Sequence, residues 1–442
     1  MMQRRWKVAV AMVTVVAAAV VAAPAGAQSG SDKPQAVEVG VTPTEIHIAT
    51  IADVDTPLAP GLFDGAKYGA LGAAKYLNSK AGGGGVAGRK IVVDFLDSKL
   101  NANESRNSVI TACQDDFAMV ANAMVFLTSA DDIVGCVDKA GATTGLPDMP
   151  SFTAGVVESC APTTFGINPP QLHCDTATES PQEYTSSKAG APYFVKKFGK
   201  NKLHGVMLYG NDTKDAERGS RALLDAFLST GITSDQYKGF SATTNQSGYT
   251  GVVAQMKADG SNIVDNITSS PELLRAEMQL QGMNVDDVVY QCGCYGEKFR
   301  TNPALEGVYI WGYTLPLEEA SSNAMLETFL KYVPRDKADG FAEYAWAGVL
   351  AFAQAAKAVV AKDGVNGLTR ENLLQHGVTT LTKFDAGGMM GTVNIAEHVP
   401  TDCSMLLQLK HQKYVRLSPK KPGTFDCRPS NLATIKADYI GG

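Results

Sequence analysis

From residue 45 onward, short runs rich in Ile, Val and other apolar residues alternate with longer segments in which apolar positions recur every three to four residues. That alternation is the mark of a parallel sheet whose strands are joined by crossover helices. It predicts strands over 46–51, 90–96, 119–125 and 149–153, with helices over 62–79, 103–113 and 130–140 between them. In the first helix Tyr68, Leu71, Ala74 and Leu77 are expected to face the sheet, and the glycines at 82–85 end it. A second run follows a polar, proline-bearing stretch at 168–187: strands over 203–209, 262–267, 287–291 and 308–311, and helices over 216–229, 249–258 and 271–281. Further helices are expected over 320–332, 340–361 and 369–376. Ser270 is placed to cap the 271–281 helix, with Pro271 in its first turn. The 340–361 segment is apolar enough to suggest a membrane span, yet Glu343, Gln354 and Lys357 interrupt it, so a buried core helix is expected.

The first 27 residues stand apart. Arg4, Arg5 and Lys7 precede an apolar stretch over 8–23, followed by Pro24 and Ala25-Gly26-Ala27. This predicts a signal peptide cleaved after Ala27 and an exported, periplasmic or extracellular chain. The apolar stretch is shorter than the roughly 20 residues a membrane anchor needs. Residues 28–44 are expected to form a flexible lead-in. All eight cysteines lie beyond the leader, and an even number outside the cytoplasm points to disulfides. The shorter loops suggest Cys113 with Cys136, Cys160 with Cys174 and Cys403 with Cys427. Cys292 and Cys294, one residue apart, either bridge locally or find other partners.

The length of 442 residues leaves room for two or three compact units. With 39 basic against 45 acidic side chains, a net charge of −6 and no long basic run, a nucleic-acid partner is not expected. The six histidines are scattered without zinc-type spacing, so no metal or other cofactor is expected. Gly83 and Gly88 imitate the spacing of a phosphate loop, but they leave a helix and enter a strand, the reverse of what such a loop requires. No nucleophile-elbow or zinc-protease signature is present, and residues 52–62 lack the dinucleotide-binding glycines. What remains is a set of polar residues at the carboxyl ends of the expected strands, where open α/β sheets bind small ligands. These are Asp55, Thr56, Thr128, Ser129, Ser151 and Thr153 in the first run, and Asn211, Asp212, Ser269 and Ser270 in the second.

Gly65-Ala66-Lys67, Tyr76-Leu77-Asn78, Gly85-Val86-Ala87-Gly88-Arg89-Lys90-Ile91 and the stretch 94–97 resemble the substrate-binding proteins of branched-chain amino acid ABC transporters. The similarity extends more loosely through 262–271 and 306–309 to Gly391-Thr392-Val393. It implies the type I periplasmic-binding-protein fold, a Venus-flytrap of two Rossmann-like α/β lobes with parallel sheets joined by three hinge crossovers. Those crossovers are expected near Asn168, Tyr313 and Thr392. Lobe 1 would comprise 45–167 with 314–390, and lobe 2 would comprise 168–313 with 391–442. The resemblance implies ligand contacts from Asp55, Thr56, Thr128, Ser129, Ser151, Thr153 and Ser269, with Asn211 aligned less closely. Tyr295, Trp311 and Tyr313 are the aromatics expected nearest the cleft.

Amino-acid binders of this family place a carboxylate for the ligand's ammonium where this chain reads Cys292-Gly293-Cys294-Tyr295, and the usual aromatic at Ser269 is missing. An unpaired buried ammonium is costly, which points away from leucine, isoleucine and valine. The implied function is non-catalytic capture of a small polar metabolite, such as an amino acid or related amide or acid, by a monomer that docks on an ABC transporter permease. A ligand-sensing module of the same fold and an exported hydrolase or oxidoreductase are the alternatives.

Overall fold

A computed structural model describes residues 33–56, 61–153, 155–167, 171–173, 183–268 and 270–436. The expected signal peptide and its cleavage site fall outside these residues. Strand β1 (Glu45–Ala52) carries the near-continuous apolar run of a strand covered on both faces, with Ile46, Ile48 and Ile51 fully buried. It pairs in parallel with β2 (Lys90–Asp97) on one side and with β3 (Ala118–Val120) and β4 (Ala123–Met124) on the other. Beyond these lie β5 (Asp148–Met149) beside β3 and β6 (Phe152–Thr153) beside β4.

The single strand expected over 119–125 is thus broken. At the break Ala121 takes a positive φ of 63°. The buried Asn122 then supplies side-chain bonds where the ladder stops: its Oδ1 accepts from Ile51 N at 3.0 Å and its Nδ2 donates to Asp148 Oδ1 at 2.8 Å. The helix expected over 130–140 shrinks to Asp131–Val134, because Gly135 follows and Cys136 is tied to Cys113. Over 369–376 a three-residue helical turn, Arg370–Asn372, passes into a wider turn at Leu373–Gly377. Residues 33–44 are not a loose lead-in. The buried Arg89 guanidinium donates to the Gln35 and Thr42 carbonyls, and Glu38 accepts from Lys139 N and Arg370 N.

The second lobe is built on seven strands in one path. In chain order they are β9 (His204–Gly210), β10 (Thr233–Phe240), β11 (Ile263–Asn266), β12 (Val289–Cys292), β13 (Tyr309–Gly312), β14 (Cys403–Lys410) and β15 (Lys413–Ser418). Their spatial order is β10-β9-β11-β12-β13-β14-β15, parallel as far as β13 and antiparallel beyond it. The strands β7 (Gln171–His173) and β8 (Glu183–Ser187) form a separate antiparallel sheet with Leu432–Lys436. Ser270 precedes the helix Pro271–Leu280 without a side-chain capping bond; Pro271 alone marks its start.

Four disulfide sites tie this frame. Cys113–Cys136, Cys292–Cys294 and Cys403–Cys427 are bonded, and Cys160 is also disulfide-bonded, its expected partner Cys174 lying outside the described residues.

Among the described residues one helix, Gly340–Asp363, is long and apolar enough to cross a membrane, and it runs through the first lobe's core, with Trp346, Phe352 and Val359 fully buried. It crosses the helix Asp64–Asn78, whose buried face is Gly65, Gly69, Gly72 and the alanines between them, while Leu71 points outward. A methyl group at Gly69 would overlap the Ala342 carbonyl, and one at Gly65 would overlap the Asp339 carboxylate. Replacing Gly69 by Val is therefore expected to reduce stability by about 3 kcal/mol, the upper range for overpacking, as read by urea unfolding.

Within β11 the carboxyl of Asp265 is 3% exposed, and burial pushes it up to about 7 against the 2.8 Å hydrogen bond from Gln291 Nε2. The folded chain holds this proton to higher pH than the unfolded chain. Its stabilising contribution is therefore complete below about pH 4 and is lost as pH rises toward 7. Asp265→Asn should flatten the fall in stability over that window, by at most about 1.4 kcal/mol per pH unit in urea titrations.

Candidate functional site

The strands of both sheets aim their carboxyl ends at the space between the lobes, and a cavity of about 280 Å³ lies there. The first lobe contributes Ser151, Phe152 and Thr153 around β6, and Phe341 and Tyr344 from the start of the helix Gly340–Asp363. The second lobe contributes Thr268 after β11, Gly293 and Tyr295 after β12, Trp311 and Tyr313 at β13, and Ser220 and Leu223 from the helix Lys214–Leu228. Gly166, Ile167, Pro400 and Thr401, from segments that run between the lobes, complete the wall. No acidic, basic or histidine side chain is part of this lining among the described residues.

A smaller chamber of about 160 Å³ adjoins it, lined by Phe63, Val125, Gly210 and Phe240 and by three charged residues, Asp212, Lys298 and Asp339. Phe152, Ser220, Thr268, Gly293, Tyr295 and Phe341 face both chambers and form the collar between them. An added Cβ at Gly293 would meet nothing within 4 Å, and the same holds for Gly210 in the smaller chamber. The collar's glycine is held between Cys292 and Cys294, which are bonded to each other and fully buried.

Most hydroxyls of the wall are engaged. Ser151 Oγ lies 2.9 Å from the Asn122 carbonyl, Thr268 Oγ1 donates to Asn266 Oδ1 at 2.7 Å, and Tyr295 OH accepts from Leu317 N at 2.6 Å. Tyr313 and Tyr344 stack with centroids 4.8 Å apart. Ser186, on β8, also lines the larger chamber, and its buried Oγ has no hydrogen-bond partner among the described residues.

The residues predicted from sequence divide accordingly. Ser151, Thr153, Tyr295, Trp311 and Tyr313 line the larger chamber, and Asp212 lines the smaller. Asp55, Thr56, Thr128, Ser129 and Asn211 line neither, and Ser269 lies outside the described residues. Asp55 donates its N–H to Asp97 at the end of β2, which ties that loop to the neighbouring strand, and Ser129 Oγ accepts from Asp131 N within its own loop. Asp212 accepts from Ser241 Oγ and Ala242 N. Sequence reasoning did not find Phe152, Phe341, Tyr344, Gly210 or Ser186 as cavity residues. For the two on the long helix, the apolar pattern that buries the helix hides the first turn that reaches the cleft.

Two of the segments between the lobes run side by side. Leu315 N donates to Met389 O and Gly391 N donates to Tyr313 O, each at 2.8 Å. Beneath this pair Glu343 is fully buried, with Thr314 Oγ1 2.6 Å from its Oε2 and no partner for Oε1. Burial, reinforced by Asp339 and Glu318, holds the Glu343 carboxyl well above the usual carboxylate range. Burial likewise raises Asp339 to about 6, although its Oδ1 caps Ala342 N at 2.9 Å.

Two lobes built on parallel strands, paired crossovers and a cleft at the strand ends are the architecture of a bilobal solute-binding protein. The chain matches the family model described as "Periplasmic binding protein" over residues 45–413 and belongs to that family. No curated protein matches the sequence. Among solved structures, it is similar to the fatty acid ABC transporter substrate-binding protein from Thermomonospora curvata, with 16% identity and a TM-score of 0.65 over 91% of this chain and 97% of that one. It is also similar to the branched-chain amino acid transporter substrate-binding protein LivJ from Streptococcus pneumoniae in complex with isoleucine, with 16% identity and a TM-score of 0.61 over 84% and 98%. A third, the solute-binding protein of an ABC transporter from R. palustris in complex with benzoate, shares 14% identity with a TM-score of 0.61 over 87% and 98%. The shared fold agrees with the two-lobed α/β architecture expected from the sequence, and the family implies work outside the cytoplasm.

Thr314→Val should leave both Glu343 oxygens without a donor and cost about 1–3 kcal/mol in chemical unfolding, with the secondary structure unchanged by circular dichroism.

Proposed function

We propose that this protein is exported with cleavage after Ala27, captures an elongated, mainly apolar solute between its lobes, and hands it unchanged to an ABC importer. The lining of the larger chamber carries this reading. Aromatic and aliphatic walls without an acidic, basic or histidine side chain favour an apolar body, and an uncompensated charge there would be costly. The sequence had suggested a polar metabolite; the walls favour a less polar one. The unpartnered Ser186 hydroxyl offers one hydrogen bond to it. A narrower, polar end of the solute passes the Gly293 collar into the smaller chamber, where Lys298 and Asp339 can meet it. The ligands named for the similar structures include a benzoate and a fatty acid, which support the class without fixing the molecule. Closure of the lobes over the bound solute is the signal a permease reads, and it requires contacts that exist only in the closed form.

Native mass spectrometry of the purified protein, followed by thermal shift and calorimetry with linear alkanoates from butanoate to dodecanoate and the matching phenylalkanoates, tests this. Affinity should rise with length, and scattering should show a smaller radius with ligand. Gly293→Val and Gly210→Val should each weaken the longest bound probe by about tenfold or more, roughly 1.4 kcal/mol, and leave the shortest unaffected. Chemical conversion of a probe would overturn the capture reading. A Gly210→Val variant that binds long probes normally would overturn occupation of the smaller chamber.

A further inference from the structure

We infer that a divalent first-row cation binds at the end of the first sheet remote from the cleft, held by His47, Asp94 and Asp116. His47 lies near the start of β1, Asp94 is in β2, and Asp116 follows the helix Ala102–Asp115. The parallel register pairs Asp94 with Ala49, which puts Glu45, His47 and Asp94 on one face of the sheet. Phe117 N donates to the His47 carbonyl at 2.9 Å, which brings Asp116 alongside. One ligand atom from each of the three residues lies within 4.8 Å of the others.

Two further observations make this more than a group of acids. Asp116 is 1% exposed, and its Oδ1 is buried with no hydrogen-bond partner, a costly arrangement that a cation would relieve. His47 is flanked on both ring nitrogens: Nδ1 is 2.7 Å from Asp94 Oδ2, and Nε2 is 3.5 Å from Glu45 Oε2. A ligating imidazole whose other nitrogen faces a carboxylate is the usual arrangement behind a bound metal. The nearby Arg370 spends its guanidinium on the carbonyls of Cys113, Asp116, Phe117 and Val137. The side chains of His47 and Asp94 are 29% and 44% exposed, so an ion can enter from solvent.

One imidazole and two carboxylates suit zinc, with water in the remaining position. Zinc would replace the close approach of His47 to Asp94 and give the buried Asp116 Oδ1 a partner. The ligands come from three separate segments, which is why no sequence motif announces them.

The test is calorimetric titration of zinc into the chelator-stripped full-length mature protein, with cobalt as a second probe read by its visible spectrum. One zinc per chain is expected. His47→Gln and Asp116→Asn should each weaken it by at least about tenfold, and Glu45→Gln by about tenfold. Asp116→Asn removes a buried acid and should unfold no more easily than the parent in urea, which separates lost binding from lost folding. Absence of stoichiometric zinc on the parent protein overturns the site, as does zinc binding that survives both ligand substitutions. Neither result bears on solute capture, since the strand ends that form the cleft lie at the opposite edge.

Discussion

The close crossing of two helices in the first lobe is the constraint on which the site depends. Gly65 and Gly69 let the helix Asp64–Asn78 lie against the start of the helix Gly340–Asp363, and Gly72 lets it lie against Tyr332 and Val333. The second helix begins at that crossing, so its first turn is fixed in height and rotation. Asp339, Phe341 and Tyr344 therefore reach the cleft as a rigid group, and Glu343 is pressed beneath the crossover beside Thr314. A looser crossing would move the aromatic wall, the cap and the buried carboxyl together.

Polarity is distributed unevenly around that wall. The larger chamber is lined by aromatic, aliphatic and hydroxyl side chains, whereas charged ones line the smaller chamber, with Glu318 bonded to Tyr295 and Glu343 buried beside Thr314. Of these carboxyls, burial holds Glu343 well above the usual range and raises Asp339 to about 6, which weakens the charge they present toward the cleft.

Much of the fold was legible because it rests on periodicity. The parallel strands β1, β2, β9, β11 and β12 are apolar runs between helical patterns, and buried sheets require such runs. What escaped were elements with little to bury. β10 reads Thr-Ser-Asp-Gln-Tyr-Lys-Gly-Phe and lies at a sheet edge, and β15 follows a tight turn after β14. The site was legible only in part. Ser151, Thr153, Tyr295 and Tyr313 follow or lie within strands whose positions were clear. Thr128 and Ser129 follow a strand that breaks at Ala121, and neither lines the cavity. Gly210 and Gly293 shape the chambers by having no side chain, and a missing side chain gives no pattern to read.

The paired segments at Tyr313–Leu315 and Met389–Gly391 have a mechanical consequence. Two strips bonded edge to edge bend readily across their flat face but resist splaying within their plane, since that would stretch both 2.8 Å bonds at once. A hinge built this way would have one soft axis, so any closure of the lobes would be guided in direction by the paired strips.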